Sequence, residues 1–125
     1  MAKSLKPLPK LIKQAEKVFN AYIRERDKDL PCISCGRHRD NYDAGHFVPV
    51  KNSSYLRFHE WNVNKECKGC NGFDEFHLIG YRRNLVSKIG EGAVTWLEEN
   101  SRQVKKWSRS ELEEIRQKYK AAFIN

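Results

Sequence analysis

The chemistry this sequence could perform is concentrated in two cysteine pairs and the polar residues between and just after them. The pairs are Cys32-Ile33-Ser34-Cys35 and Cys67-Lys68-Gly69-Cys70. Two thiolates at this spacing point to one side of a tight turn and can share one metal ion. Two such turns complete an all-sulfur tetrahedral site suited to Zn2+. Gly36 and Gly69 supply backbone freedom near the turns. Paired disulfides would need an oxidising compartment, and a redox Cys-x-x-Cys needs no second pair. A closed four-sulfur site has no open coordination position, so the expected zinc is structural, and its removal is expected to unfold the centre of the chain. Residues 36–66 separate the pairs. That is more than a compact zinc ribbon needs, and the reactive chemistry is expected in this insert.

The insert and its far edge carry Asp43, His46, Arg57, Asn62, Asn71 and His77. Hydrolysis of a phosphodiester needs a base that works near neutral pH, which suits His46. It also needs a hard cation, Mg2+ or Mn2+, to neutralise developing charge, held by oxygen-rich ligands. Asp43 and Asn71 supply such oxygens, and His77 is a further candidate ligand. Each residue has a plainer reading. His46 could be structural, Asp43 a turn residue and Asn71 a helix cap. Asn62 is expected to brace the loop that carries His46. Arg57, between Leu56 and Phe58, reads as a phosphate clamp or as half of a structural ion pair. His38 and His59 are read as surface residues.

Several elements must position these groups. Residues 8–26 show apolar positions at helical spacing, from Leu8 and Leu11 to Tyr22 and Ile23. Pro7 and Pro9 fit the first turn of that helix. Residues 32–77 lack helical periodicity. β-like pieces are expected at Tyr42 to Val50 and Tyr55 to Phe58, with a helix starting near Cys67 to Asn71. Residues 78–89 read as a helix ended by Gly90. A short helix over 91–99 turns Ala93, Trp96 and Leu97 inward. The last helix opens with the capping box Ser108-x-x-Glu111 and runs through Leu112, Ile115, Tyr119, Ala122 and Phe123. The expectation is one mostly helical α+β domain over 1–125. It comprises a basic N-terminal helix in 1–31, a metal-bearing centre in 32–77 and C-terminal helices in 78–125.

The chain carries 24 Lys and Arg against 16 Asp and Glu, a formal charge of +8. Its centre is balanced and the excess lies in the flanks. A basic excess favours a polyanionic partner, most often nucleic acid. Lys51, Arg57, Arg82, Arg83, Lys105 and Lys106 are the candidate phosphate contacts. No apolar run is long enough to span a bilayer. The basic start MAKSLKPLPK has no apolar stretch before a cleavage site, so a cytoplasmic protein is expected.

The combination Cys-x-x-Cys, Ala44-Gly45-His46-Phe47-x-Pro49, Asn62 and Cys67-x-x-Cys70-Asn71 resembles a variant HNH nuclease motif. With Leu56-Arg57-Phe58, Tyr81-Arg82, Leu85 and Ile89-Gly90, it resembles the NinG (Rap) recombination proteins of lambdoid phages over nearly the whole chain. The layout is also similar to phage Holliday-junction endonucleases. The resemblance implies a ββα-metal core with a zinc-stapled hairpin, flanked by amphipathic helices. It implies a structure-specific, metal-dependent DNA endonuclease for branched recombination intermediates, inside a phage-infected or prophage-bearing bacterium. His46 would be the general base and Asn71 a metal ligand. Common HNH motifs place the ligand Asp directly before the His, where this chain has Gly45. Asp43 must then reach from three residues back, or His77 takes its place.

Three readings follow. A nuclease accounts for the charge, the cysteines and the insert together. A non-catalytic zinc-dependent DNA-binding or regulatory module accounts for the first two. A protein-interaction zinc module accounts for the cysteines alone. For paired incisions at a junction, the apolar stripes of the terminal helices could form a homodimer interface; the alternative is that they pack within one chain.

Overall fold

The computed structural model describes residues 5–122. Phe123, expected on the last helix, lies outside them. Helix α1, Leu8–Arg26, starts at Pro7 and Pro9 and ends in Arg24 and Arg26, whose charges suit a helix C-terminus. Strands β1, Tyr42–His46, and β2, Val63–Cys67, form one antiparallel ribbon. Tyr42 pairs with Cys67 and His46 with Val63. Helices α2 (Lys68–Phe73), α3 (His77–Ile89), α4 (Glu91–Glu99) and α5 (Arg109–Ala121) follow. The capping box of α5 is present, with the Ser108 hydroxyl accepting from the Glu111 amide and Glu111 accepting from the Ser108 amide.

The ribbon separates two apolar clusters. On one side, α3 and α4 bury Tyr81, Leu85, Val94 and Leu97 against Ile33, Phe47 and Leu56. On the other, α1 and α5 meet through Phe19, Ile23, Leu112 and Tyr119, with Phe58 and Val63. Phe19 and Tyr119 pack edge to face at 4.8 Å. Among the described residues, the apolar stripes of the terminal helices pack against each other within one chain, the alternative to a dimer interface considered from the sequence.

Two local expectations are corrected. The strand from Tyr42 stops at His46 instead of reaching Val50. Tyr55 to Phe58 is not a strand; Ser54–Leu56 is a 3₁₀ turn. The ladder partner of β1 is Val63–Cys67, and the Ser53 and Ser54 hydroxyls are drawn elsewhere. They donate to the carbonyls of Asn100, Gln103 and Lys105. The turn sends Leu56 into one cluster and Phe58 into the other. In α4, Val94 is fully buried beside Leu97, whereas Ala93 is only half-buried. Gly90 joins α3 to α4 at φ +93° and ψ 157°, a conformation open essentially to glycine.

A buried charge ties the helices to the ribbon. Asp27 is 2% exposed. It accepts from Arg26 Nε at 2.8 Å, Lys88 Nζ at 2.9 Å and the Lys65 amide at 3.1 Å. The end of α1, the end of α3 and the middle of β2 thus share one carboxylate.

Candidate functional site

The four cysteines converge because β2 runs directly into α2. Cys67 ends the strand and Cys70 lies one turn into the helix. Cys32 and Cys35 come from the turn after α1, which closes through Gly36 at φ +71°. All four sulfurs lie within 4.8 Å of one another. A tetrahedral site with bonds of about 2.3 Å places sulfurs roughly 3.8 Å apart. Cys32 Sγ accepts from the amides of Cys35 and Cys67, at 3.4 and 3.2 Å. Burial and the neighbouring sulfurs push the Cys70 thiol well above its usual range. Four clustered thiolates repel one another unless a cation lies among them, so this donor set fits a soft divalent metal such as zinc. Among the described residues it is the single group of three or more His, Cys, Asp or Glu side chains whose ligand atoms lie close enough together to hold a metal ion.

Beside this cluster lies a cleft of about 350 Å³, lined by Ala44, His46, Lys51, Asn71, His77 and neighbouring apolar side chains. β1 delivers His46, α2 delivers Asn71 and the first turn of α3 delivers His77. His46 Nε2 lies 3.0 Å from the Arg57 carbonyl oxygen. A carbonyl only accepts, so Nε2 carries the proton and Nδ1 keeps a lone pair. Burial pulls the pKa of His46 below its ordinary value, partly offset by that carbonyl and by Glu16. The shift favours the neutral ring, the form that a proton acceptor needs.

Asn62 is fully buried. Its Oδ1 accepts from the Val48 amide at 2.8 Å, and its Nδ2 donates to the carbonyls of Val48 and Leu56, at 3.0 and 3.3 Å. It does not line the cleft and pins both arms of the loop after His46. Tyr81, read from the sequence as part of the family resemblance but given no role at the site, donates from its hydroxyl to the Gly45 carbonyl at 2.6 Å and fixes β1 just before His46. Asp43 does not line the cleft. Its carboxylate accepts from Asn71 Nδ2 at 3.1 Å and pairs with Lys68 Nζ at 2.5 Å. Partial burial raises its pKa, but those two donors outweigh it and hold the group below the usual value. Asn71 keeps its Oδ1 as a remaining acceptor.

Among the basic candidates, Arg57 is paired with Glu16 of α1, the structural alternative weighed from the sequence. Arg82 is bridged to Glu91 and Glu98, and Lys105 to Glu111. Lys51, Arg83 and Lys106 have no acidic partner among the described residues. Sequence reasoning also passed over Glu66, a buried acid that contacts His77. Its signal was an acidic residue directly before a metal-type cysteine.

The fold and site together define a helix-rich α+β chain in which a four-cysteine cluster staples a two-stranded ribbon to a short helix, next to a polar cleft. A family model described as "Bacteriophage Lambda NinG protein" matches residues 1–124. The chain is 43% identical over 117 residues to "Protein ninG" of Escherichia phage lambda, covering 93% of this chain and 57% of the relative. It is 41% identical over 117 residues to "Protein ninG" of Salmonella phage P22, with 93% and 57% covered. The chain belongs to the NinG family of lambdoid phages, and it spans less than two thirds of the length of these relatives. No solved structure matches it.

Proposed function

We propose that the chain is a metal-dependent DNA endonuclease acting on branched recombination intermediates in the phage's bacterial host. The observation that carries this reading is His46, whose Nδ1 has no hydrogen-bond partner among the described residues, in a cleft it shares with Asn71 and His77. His46 takes the proton of the attacking water. Asn71, His77 and Asp43 at the margin offer amide oxygen, imidazole and carboxylate, a donor set that fits Mg2+ or Mn2+ and leaves positions for water and phosphate. Held there, such an ion supplies neutralisation of the charge that develops on the phosphate. Asn62 keeps the His46 loop in place, and Lys51 faces the incoming strand. The four-cysteine site, loaded with zinc, is structural in this reading.

The non-catalytic DNA-binding module has one observation in its favour: the Lys68 ammonium already neutralises Asp43. Plasmid nicking with Mg2+ or Mn2+, before and after EDTA, separates the two. Metal-dependent nicking is expected; tight metal-independent DNA binding without nicking supports the module instead. His46→Ala is expected to lower cleavage by ~10²–10⁴-fold with fold and zinc content retained. Normal cutting by this variant overturns the assignment of the base. Comparing flaps, D-loops, four-way junctions and plain duplex then tests the preference for branched DNA.

A further inference from the structure

We propose that Glu66 is a positioning residue that presents His77 Nε2 to a divalent cation in the cleft, and that it does so from the first cysteine turn. The cation's part in cleavage rests on the nuclease reading above.

Glu66 lies in β2 immediately before Cys67 and is 0% exposed. One oxygen, Oε2, receives both of its partners. It lies 2.5 Å from His77 Nδ1 and accepts from the Ser34 hydroxyl. The other, Oε1, is buried without a partner among the described residues. It sits against Gly45, where any Cβ would overlap it. The carboxylate is thus fixed from three sides: by its own strand, by the facing strand and by the turn between Cys32 and Cys35.

A carboxylate accepts, so His77 Nδ1 carries the proton and Nε2 is left with a lone pair. His77 also lines the cleft with His46 and Asn71. An imidazole that ligates a metal through one nitrogen characteristically donates from the other to a carboxylate, which fixes both its tautomer and its direction. The helix carrying His77 is docked on the same turn. Asn84 Nδ2 donates to the Ile33 carbonyl at 2.8 Å. Gly80 lies so close to the Ser34 carbonyl that a Cβ there would overlap it. His77, Gly80 and Asn84 share one face of α3 at helical spacing. The cysteine turn therefore sets the helix, and through Ser34 and Glu66 it sets the ring.

The test uses the zinc-loaded full chain. Nitrogen-15 NMR of the imidazoles reads the tautomer, and electron paramagnetic resonance of free Mn2+ reads cation affinity without DNA. Wild-type His77 is expected in the Nδ1–H form. Glu66→Ala is expected to weaken Mn2+ binding by about 10–100-fold. His77→Ala should weaken it equally, and the double variant no further. Glu66→Gln, whose amide oxygen can accept the same hydrogen bond, should keep most of the affinity. An Nε2–H tautomer in the wild type overturns the proposal, and that measurement needs no variant. So does a wild type that binds no Mn2+, or a folded, zinc-retaining Glu66→Ala protein with unchanged affinity. Plasmid cleavage on the same samples keeps the two ideas apart. Mn2+ binding through His77 without any cutting rejects the nuclease and leaves Glu66 in this role. Cutting that is indifferent to Glu66 and His77 does the reverse.

Discussion

At the scale of single residues, His46 is defined by what its two ring nitrogens meet. Nε2 is committed to the Arg57 carbonyl, and only Nδ1 remains for chemistry. Because burial lowers its pKa, the neutral form dominates already below the ordinary histidine value. A base must be unprotonated to act, so single-turnover cleavage should rise with pH and level off before pH ~6.5. A profile that rises through pH 7 to 8 would assign the titration to another group. The sequence disclosed the types of these residues and their order. It did not disclose that Arg57 would face Glu16, since that partner comes from a helix 41 residues away. Nor did it disclose Glu66, whose value depends on two residues, Ser34 and His77, that become neighbours only after folding.

At the scale of elements, the helices were legible and the ribbon was half legible. The α1 pattern of Ala15, Phe19 and Ile23 at four-residue intervals is a one-sided apolar stripe, and it folds as read. β2 has no such stripe. All five of its residues, Val-Asn-Lys-Glu-Cys, are buried, so the strand alternates neither in polarity nor in exposure. Its polar members are inside because partners wait for them there, and pattern reading has no access to partners. Asp27 is the partner with most at stake. Burial raises its pKa, and Arg26 and Lys88 lower it by more. A carboxylate whose folded pKa is depressed adds stability above its unfolded pKa of 3.8, and loses it as pH falls through the folded value. Asp27→Ala takes the shared carboxylate from Arg26 and Lys88, which are only partly buried and keep Asn64 Oδ1 as an acceptor, and is expected to cost about 1–3 kcal/mol in urea unfolding at pH 7. The loss should shrink in acid. An effect that is the same at pH 7 and pH 2 would mean that Asp27 acts through packing alone.

At the scale of the molecule, the cysteine cluster closes a circuit from the turn after α1 to the junction of β2 and α2. Small domains that fold around a metal draw much of their folding free energy from it, and this cluster would gain the same from bound zinc. Stripping it with a strong chelator should abolish the cooperative melting transition in circular dichroism, and added Zn2+ should restore it. An unchanged transition would show that the two apolar clusters suffice. The net charge also acts globally. With Arg57, Arg82 and Lys105 occupied by acids, Lys51 is the cation at the cleft that has no acidic partner among the described residues. Lys51→Gln should weaken DNA binding alike for all sequences and flatten the log–log salt dependence by about one unit. An unaltered slope would remove Lys51 from the interface.

The buried strand has one more effect, on which pairings the chain can adopt. Where one face of a ribbon is oily, a slip by one residue is punished by hydrophobicity. Here that safeguard is weak, and the sentries are polar. Asn62 grips Val48, Asn64 grips Lys88, Lys65 grips the Leu30 carbonyl and Glu66 grips Ser34. Sliding the strand by a single position would break its three grips, and that of Asn62 just before it, at once, so misaligned forms of this hairpin should be sparsely populated even though its surfaces would tolerate them.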